Sequence, residues 1–261
     1  QYHLTDNIFR LHLDLKDKVY CHGGYEAFNI SDPKPRNIHK AIVRDRLLHH
    51  AIHRVLYPFF DRLFIRDAYS CRVDKGAHRA INRFRTFGYK VSQNHTKTCW
   101  VLKCDIRKFF ASIDQEILMS ILRKHIPDKD ILDLLERVIA SFESTEQGKG
   151  IPLGNLTSQL LVNIYMNEFD QFVKHELKVK YYICYADDFV LLSSDKVELE
   201  LLLIQMEHFL CDKLKLEFHP NKVFIKTFAS GVDFLGWVHP DRRVLRTSAK
   251  KRMLRNVRKQ N

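Results

Sequence analysis

Residues 181–192 read YYICYADDFVLL, and this stretch limits the possible fold more than any other. Two apolar, strand-like arms flank the adjacent carboxylates Asp187 and Asp188. Along one continuous strand, successive side chains alternate between faces. One aspartate would then enter the core unpaired, at a large desolvation cost. A tight turn at Ala186-Asp187-Asp188 removes the conflict. It predicts both carboxylates at an exposed hairpin tip, with YYICY and FVLL as buried arms.

A second stretch, WVLKCDI (100–106), alternates as a strand should, with Trp100, Leu102, Cys104 and Ile106 on one face. Val101, Lys103 and Asp105 share the other, polar face, and Phe109-Phe110 follow shortly after. If this strand lies beside the hairpin, three carboxylates converge. Three such anions repel one another unless a cation neutralises them, and an all-oxygen cluster suits a hard ion such as Mg²⁺. Two such ions about 4 Å apart are the usual machinery of in-line nucleotidyl transfer.

The rest of the chain supplies helices to cover such a sheet. Helical periodicity predicts helices at 6–18, 38–60, 76–87, 114–125, 128–142, 155–178, 195–213 and 248–259, with 23–36 as a loop. In 38–60 the apolar row is Val43, Leu47, Ala51, Val55 and Phe59, widened by Leu48, Ile52 and Leu56. Short strands are expected at 223–228, 233–238 and 242–247. This order predicts an α+β fold, an antiparallel sheet backed by helices.

Charge narrows the partners. The net charge of +12 favours a polyanion, with nucleic acid ahead of an anionic membrane surface. No apolar run approaches the roughly 18 residues of a membrane span, and the opening residues do not read as a signal peptide. The first residue is not Met, which suggests an excerpt or a processed form. The six cysteines form no CxxC pair, so reduced thiols in a cytoplasmic setting are expected, without a disulfide framework or structural zinc.

Taken in order, KCDIRKFF, GIPLGNLTSQLLVNIYMNEFD (150–170), YADDF, NKVFIKT and VDFLGW resemble the palm motifs of reverse transcriptases, over about residues 28–250. The resemblance implies a right-hand polymerase with fingers at 1–99 and a palm at 100–240, the two interleaved near 114–150. The thumb would start at 241–261 and be largely absent. Asp105, Asp187 and Asp188 become the catalytic, metal-ligating residues for two Mg²⁺ ions, with Mn²⁺ as a possible substitute.

The same resemblance makes Phe110 the aromatic gate that excludes a ribose 2′-hydroxyl, and Arg36, Arg44 and Arg46 the triphosphate grip. Pro152, Gly154 and Gln159 would form the nucleotide pocket, and Lys222 would meet the leaving pyrophosphate. Asn155, Ser158, Gly236 and Trp237 would contact template or primer. The histidines at 49, 50 and 53 read as structural or template-contacting. The last twenty residues, 242–261, carry nine Lys or Arg and no acid, which suits a duplex backbone.

The implied activity is RNA-templated DNA synthesis from a template RNA, a DNA primer or RNA–DNA hybrid, and dNTPs, with no membrane partner. Leu153 before Gly154 makes PLGNLTSQ most similar to enzymes of diversity-generating retroelements, which implies cDNA synthesis and a small basic accessory protein. A group II intron-like enzyme is the runner-up and a defence-associated one a further alternative. A non-catalytic RNA-binding scaffold is the alternative of another class.

Overall fold

The computed structural model describes residues 4–31, 35–144, 146–239 and 244–260. In chain order the elements begin with α1 (Leu4–Lys16), β1 (Tyr25–Ile30), β2 (Arg36–Ala41), α2 (Val43–Phe60), α3 (Ala77–Val91) and β3 (Trp100–Asp105). Next come the single turn α4 (Phe109–Ser112), α5 (Gln115–His125), α6 (Lys129–Ala140) and α7 (Leu156–Gln171), which runs on into a π-turn at Phe172–Glu176. The remainder is β4 (Tyr182–Tyr185), β5 (Asp188–Ser193), α8 (Lys196–Leu214), β6 (Phe224–Thr227), β7 (Trp237–His239), β8 (Val244–Leu245) and α9 (Thr247–Gln260).

The chain forms two compact units that interleave along the sequence. One joins Gln1–Leu63 with Phe110–Tyr165, and the other joins Phe64–Phe109 with Met166–Asn261. Residues 64–99 fall in the same compact unit as the sheet.

The second unit is built on a four-stranded antiparallel sheet in the order β4-β5-β3-β6. Its register sets Val101 against Leu192, Lys103 against Val190 and Asp105 against Asp188. Side chains alternate, so Val101, Val190, Leu192 and Ile183 share one face with Lys103 and the two aspartates. Those apolar four pack with Ala80, Phe84, Phe87 and Val91 of α3 into one core. On the opposite face Phe189 packs against Phe169 of α7, beneath the buried row Leu199, Met206 and Leu210 of α8. Asp195 caps α8 by accepting from the Val197 amide, and Lys215, in the left-handed region, ends it.

In the first unit, a buried carboxylate organises the helices around β1 and β2. Asp45 on α2 accepts hydrogen bonds from the Tyr20 hydroxyl (2.9 Å) and the Gly23 amide (2.8 Å). The chain of polar groups continues from His22 to His49 at 3.0 Å and from His49 to Thr157 at 2.6 Å. Burial, with His22 alongside, pushes the His49 imidazole down to about 4, so it is neutral and serves as a hydrogen-bonding joint.

This network corrects two expectations. The segment 23–36 is a loop by its Gly and Pro content, yet it holds β1 and leads into β2. β1 is mostly exposed, so it carries no alternating burial signal. Within 38–60, residues up to Ala41 are strand, and α2 buries the row Asp45, Leu48, His49, Ile52, Leu56 and Phe60. Val43, Leu47, Val55 and Phe59 are exposed instead. Two parallel apolar rows run along this helix, and the buried Asp45–His49 pair selects between them.

β2 is tied to the turn before α7. The His39 amide donates to the Leu153 carbonyl at 2.9 Å, and Asn155 accepts from the Ala41 amide while donating to the His39 carbonyl. Gly154 sits at φ +114°, where an added Cβ would lie 2.6 Å from Ile38 Cγ2. We expect Gly154→Ala to lower stability in urea melts by about 2 kcal/mol, through backbone strain and overpacking together. Adding Ile38→Ala should recover the steric part alone, and a Gly154→Ala protein as stable as the wild type would contradict this account.

Candidate active site

The hairpin turn is tighter than the sequence suggests. Tyr185 pairs with Asp188, so the loop is the dipeptide Ala186-Asp187, and Asp188 already belongs to β5. Ala186 adopts φ 56°, a conformation that costs a non-glycine residue about 1 kcal/mol. The surrounding structure holds it there. The outer edge of β4 is covered by residues 67–69, with the Cys184 amide donating to Asp67 O and the Tyr69 amide to Cys184 O. Asp67 is itself anchored by Arg83 Nε at 2.8 Å and the Tyr69 hydroxyl at 3.0 Å. Beneath the hairpin, the Tyr182 hydroxyl donates to the buried Asp170 at 2.6 Å, and burial lifts that carboxyl to about 7.

The three carboxylates meet at one end of the sheet. Asp105 ends β3 directly across from Asp188, and the Ile106 amide donates to the Asp187 carbonyl at 3.1 Å. None of them stands at an exposed tip: Asp105 is buried, and Asp187 and Asp188 are half-buried. The face carrying Asp105 is not solvated either, since Val101 and Lys103 on it are buried.

Two lysines meet this charge. Lys222 Nζ donates to Asp105 Oδ1 at 2.8 Å, in a segment fixed by the His219 amide donating to the Asp105 carbonyl at 2.7 Å. Lys103 Nζ stands 3.0 Å from Asp188 Oδ1, on the diagonal across β3 and β5. Burial raises the Asp188 carboxyl to about 6; Lys103 opposes the rise, while Asp187 and Asp105 add to it.

Lys103 and Lys222 offset part of the negative charge for which the sequence argument calls on a metal ion. Among the described residues, no three His, Cys, Asp or Glu side chains already stand as a metal cage. The donor set nevertheless fits a hard divalent ion. It is carboxylate oxygen throughout, and Asp188 Oδ1 is buried without a hydrogen-bond partner despite its ion pair with Lys103.

The other predicted residues divide by what they touch. Arg44 is occupied within its own unit, donating to Asp14 and to the Cys21 carbonyl and lying over the Tyr20 ring. Arg46 keeps a buried Nε with no hydrogen-bond partner, and Arg36 opens β2 exposed. Asn155 and Ser158 are buried, and both ends of the Asn155 amide are engaged by β2, so its visible work is to hold that strand. Gln159 and Gly154 are exposed, Pro152 is buried, and Phe110 is half-buried beside the buried Phe109. Leu235 (φ 51°) and Gly236 (φ 88°) turn the chain between Phe234 and Trp237, whose backbones exchange bonds of 2.9 and 3.0 Å. Trp237 is half-buried on β7.

Residues 31–239 match the family described as reverse transcriptase (RNA-dependent DNA polymerase). The chain belongs to this family. Among curated proteins, this reverse transcriptase is 26% identical over 247 residues to protein YkfC of Escherichia coli, covering 79% of the chain and 63% of that protein. It is 23% identical over 276 residues to the group II intron-encoded protein LtrA of Lactococcus lactis, covering 80% and 44%. The chain thus spans less than two thirds of either relative. Among solved structures, it resembles apo telomerase from Candida tropicalis truncated from the C-terminal domain. The TM-score is 0.63 at 12% identity, covering 90% of this chain and 58% of that one. That likeness supports the α+β polymerase fold.

Lys103 is the site residue that the motifs did not single out. Its signal was present: a lysine inside a strand, two positions before Asp105 and therefore on the same face. Lys103→Met should leave a mostly buried carboxylate without its cation and destabilise the chain by about 2 kcal/mol, less than for a fully buried pair. The double change Lys103→Met/Asp188→Asn should restore most of that loss. Additive losses in the urea-melt cycle would show that the two side chains are not coupled.

Proposed function

We propose that the chain catalyses RNA-templated DNA synthesis by two-metal nucleotidyl transfer. The observation that carries this reading is the cross-strand pairing of Asp105 with Asp188 beside the Asp187 turn. Members of the family generally use divalent metal ions. Asp105, Asp187 and Asp188 would hold two ions, Mg²⁺ or substituting Mn²⁺, which when bound activate the primer 3′-hydroxyl and stabilise the leaving pyrophosphate.

The chain's own groups supply the rest. Lys103 holds Asp188 in place and favours its ionised form. Lys222, which donates to Asp105, would neutralise or protonate the pyrophosphate. Arg36 and Arg46, whose buried Nε has no hydrogen-bond partner, suit the triphosphate, with Pro152, Gly154 and Gln159 forming the nucleotide pocket. Phe110 excludes the 2′-hydroxyl, and the Gly236–Trp237 turn supports the primer end. Template RNA, a DNA primer or hybrid and dNTPs are the partners, in a cytoplasmic setting.

Two retroelement branches have specific support. Leu153 and the PLGNLTSQ pattern favour a diversity-generating element, with its small basic accessory protein. The likeness to the group II intron-encoded protein LtrA favours a group II intron-like enzyme. A template/variable repeat pair beside the coding sequence would decide for the first, and a structured intron RNA for the second.

With poly(rA)/oligo(dT) and Mg²⁺, wild-type protein should extend the primer and Asp187→Asn should lose at least about 100-fold in rate. Equal activity of the two proteins would refute the polymerase reading and leave an RNA-binding scaffold. Phe110→Ala should admit ribonucleotides, seen as a fall in the dNTP-over-rNTP ratio of kcat/KM. An unchanged ratio would remove Phe110 from the gate.

A further inference from the structure

At the end of the β4–β5 hairpin away from its turn, the second unit carries a basic cleft that the proposed chemistry does not use. The cleft measures about 350 Å³ and is lined by Lys90, Lys178, Lys180, Tyr181, Ser193 and Ser194, among others. Ser193 lies five strand residues from Asp188, roughly 17 Å along β5, so this is not the carboxylate site. A second cleft of about 360 Å³ shares Lys90 and adds Arg85, Thr86, Tyr89, Gln93 and Asn94. The two flank Lys90 at the C-terminal end of α3 and are taken together as one strip. Glu198 is the one acidic residue lining either cleft, and it accepts a hydrogen bond from Ser193.

The strip is held in shape by its backbone. Lys174, on the π-turn, donates to the Val179 carbonyl at 2.7 Å and the Lys180 carbonyl at 3.1 Å, which fixes the loop carrying Lys178 and Lys180. Gln93, Asn94 and His95 are three consecutive left-handed residues (φ 49°, 57° and 67°), an unusual run for non-glycines. Amide bonds hold the run, from Asn94 to the Tyr89 carbonyl at 2.9 Å and from His95 to Ser92 Oγ at 3.0 Å. The run turns the Gln93 and Asn94 side chains outward beside Lys90, and both are exposed.

We propose that this strip binds single-stranded RNA outside the catalytic tract. Four cations set along a groove match a phosphate backbone. The half-buried ring of Tyr89 is a platform on which a base can stack, while the Tyr181 ring packs on Phe87 beneath Lys180. The hydroxyls of Thr86, Ser193 and Ser194 and the amides of Gln93 and Asn94 can hydrogen-bond ribose 2′-hydroxyls, which favours RNA over DNA. The strip is a second contact, so it stands or falls separately from the polymerase reading.

Fluorescence anisotropy with a labelled oligouridylate of about 20 nucleotides tests this directly. The full chain carrying Lys90→Gln, Lys178→Gln and Lys180→Gln should bind about 10-fold more weakly at 0.1 M salt. The slope of log affinity against log salt should fall by about 2, as expected for three lost contacts to a single strand. A charge-matched control with Lys196, Lys213 and Lys215 changed to Gln should lose clearly less. Tyr89→Leu should weaken binding while leaving the slope unchanged, and primer extension on a short preformed hybrid should persist in every variant. A control as weak as the strip variant would reduce the effect to bulk charge and overturn the proposal. So would an oligodeoxythymidylate bound as tightly by the wild type as the RNA, and as sensitive to the strip changes.

Discussion

Two like charges in register across neighbouring strands, Asp105 on β3 and Asp188 on β5, are the constraint around which the second unit is organised. Directly opposed carboxylates destabilise a strand pair, and burial raises the penalty. The protein meets it with Lys103 inside the sheet and Lys222 from the segment leading to β6. Apolar packing on both faces then holds the strands where electrostatics alone would part them. The sheet's order follows from the same need: β3 lies centrally, between β5, which carries Asp188, and β6, which follows Lys222.

Much of this was legible in the sequence because periodicity and charge conflicted there. An alternating strand ending in Asp105 and a hairpin interrupted by two aspartates can be reconciled in few ways, and strand pairing is the simplest. The polar face of β3 was harder to read. Alternation shows which side chains share a face but not what covers it, and α3 covers Val101. The lysines that offset part of this charge also lay beyond motif reading, since Lys222 reaches Asp105 only through the fold.

The first unit shows where pattern reading loses its hold. α2 carries two apolar rows, and the one it buries is chosen by Asp45 and His49, polar residues that a hydrophobicity argument would set facing solvent. Asn155 teaches the same lesson in reverse. Beyond the nucleic-acid contact that PLGNLTSQ suggests, its amide completes the hydrogen bonding of β2. Buried polar side chains of this kind are cheap only when every partner is present, so their identity depends on neighbours far away in sequence.

The separation of Asp105 from Asp188 along the chain also has a kinetic meaning. In sequence, all of Phe110–Tyr165, which belongs to the other compact unit, falls between the two strands that carry the carboxylates. β3 cannot meet β5 until that long excursion has been closed, and pairing across a long loop forms slowly because its entropy must be lost before the contacts form. The pairing that sets Asp105 across from Asp188 is therefore a contact of high sequence separation, the kind that slows the folding of a sheet.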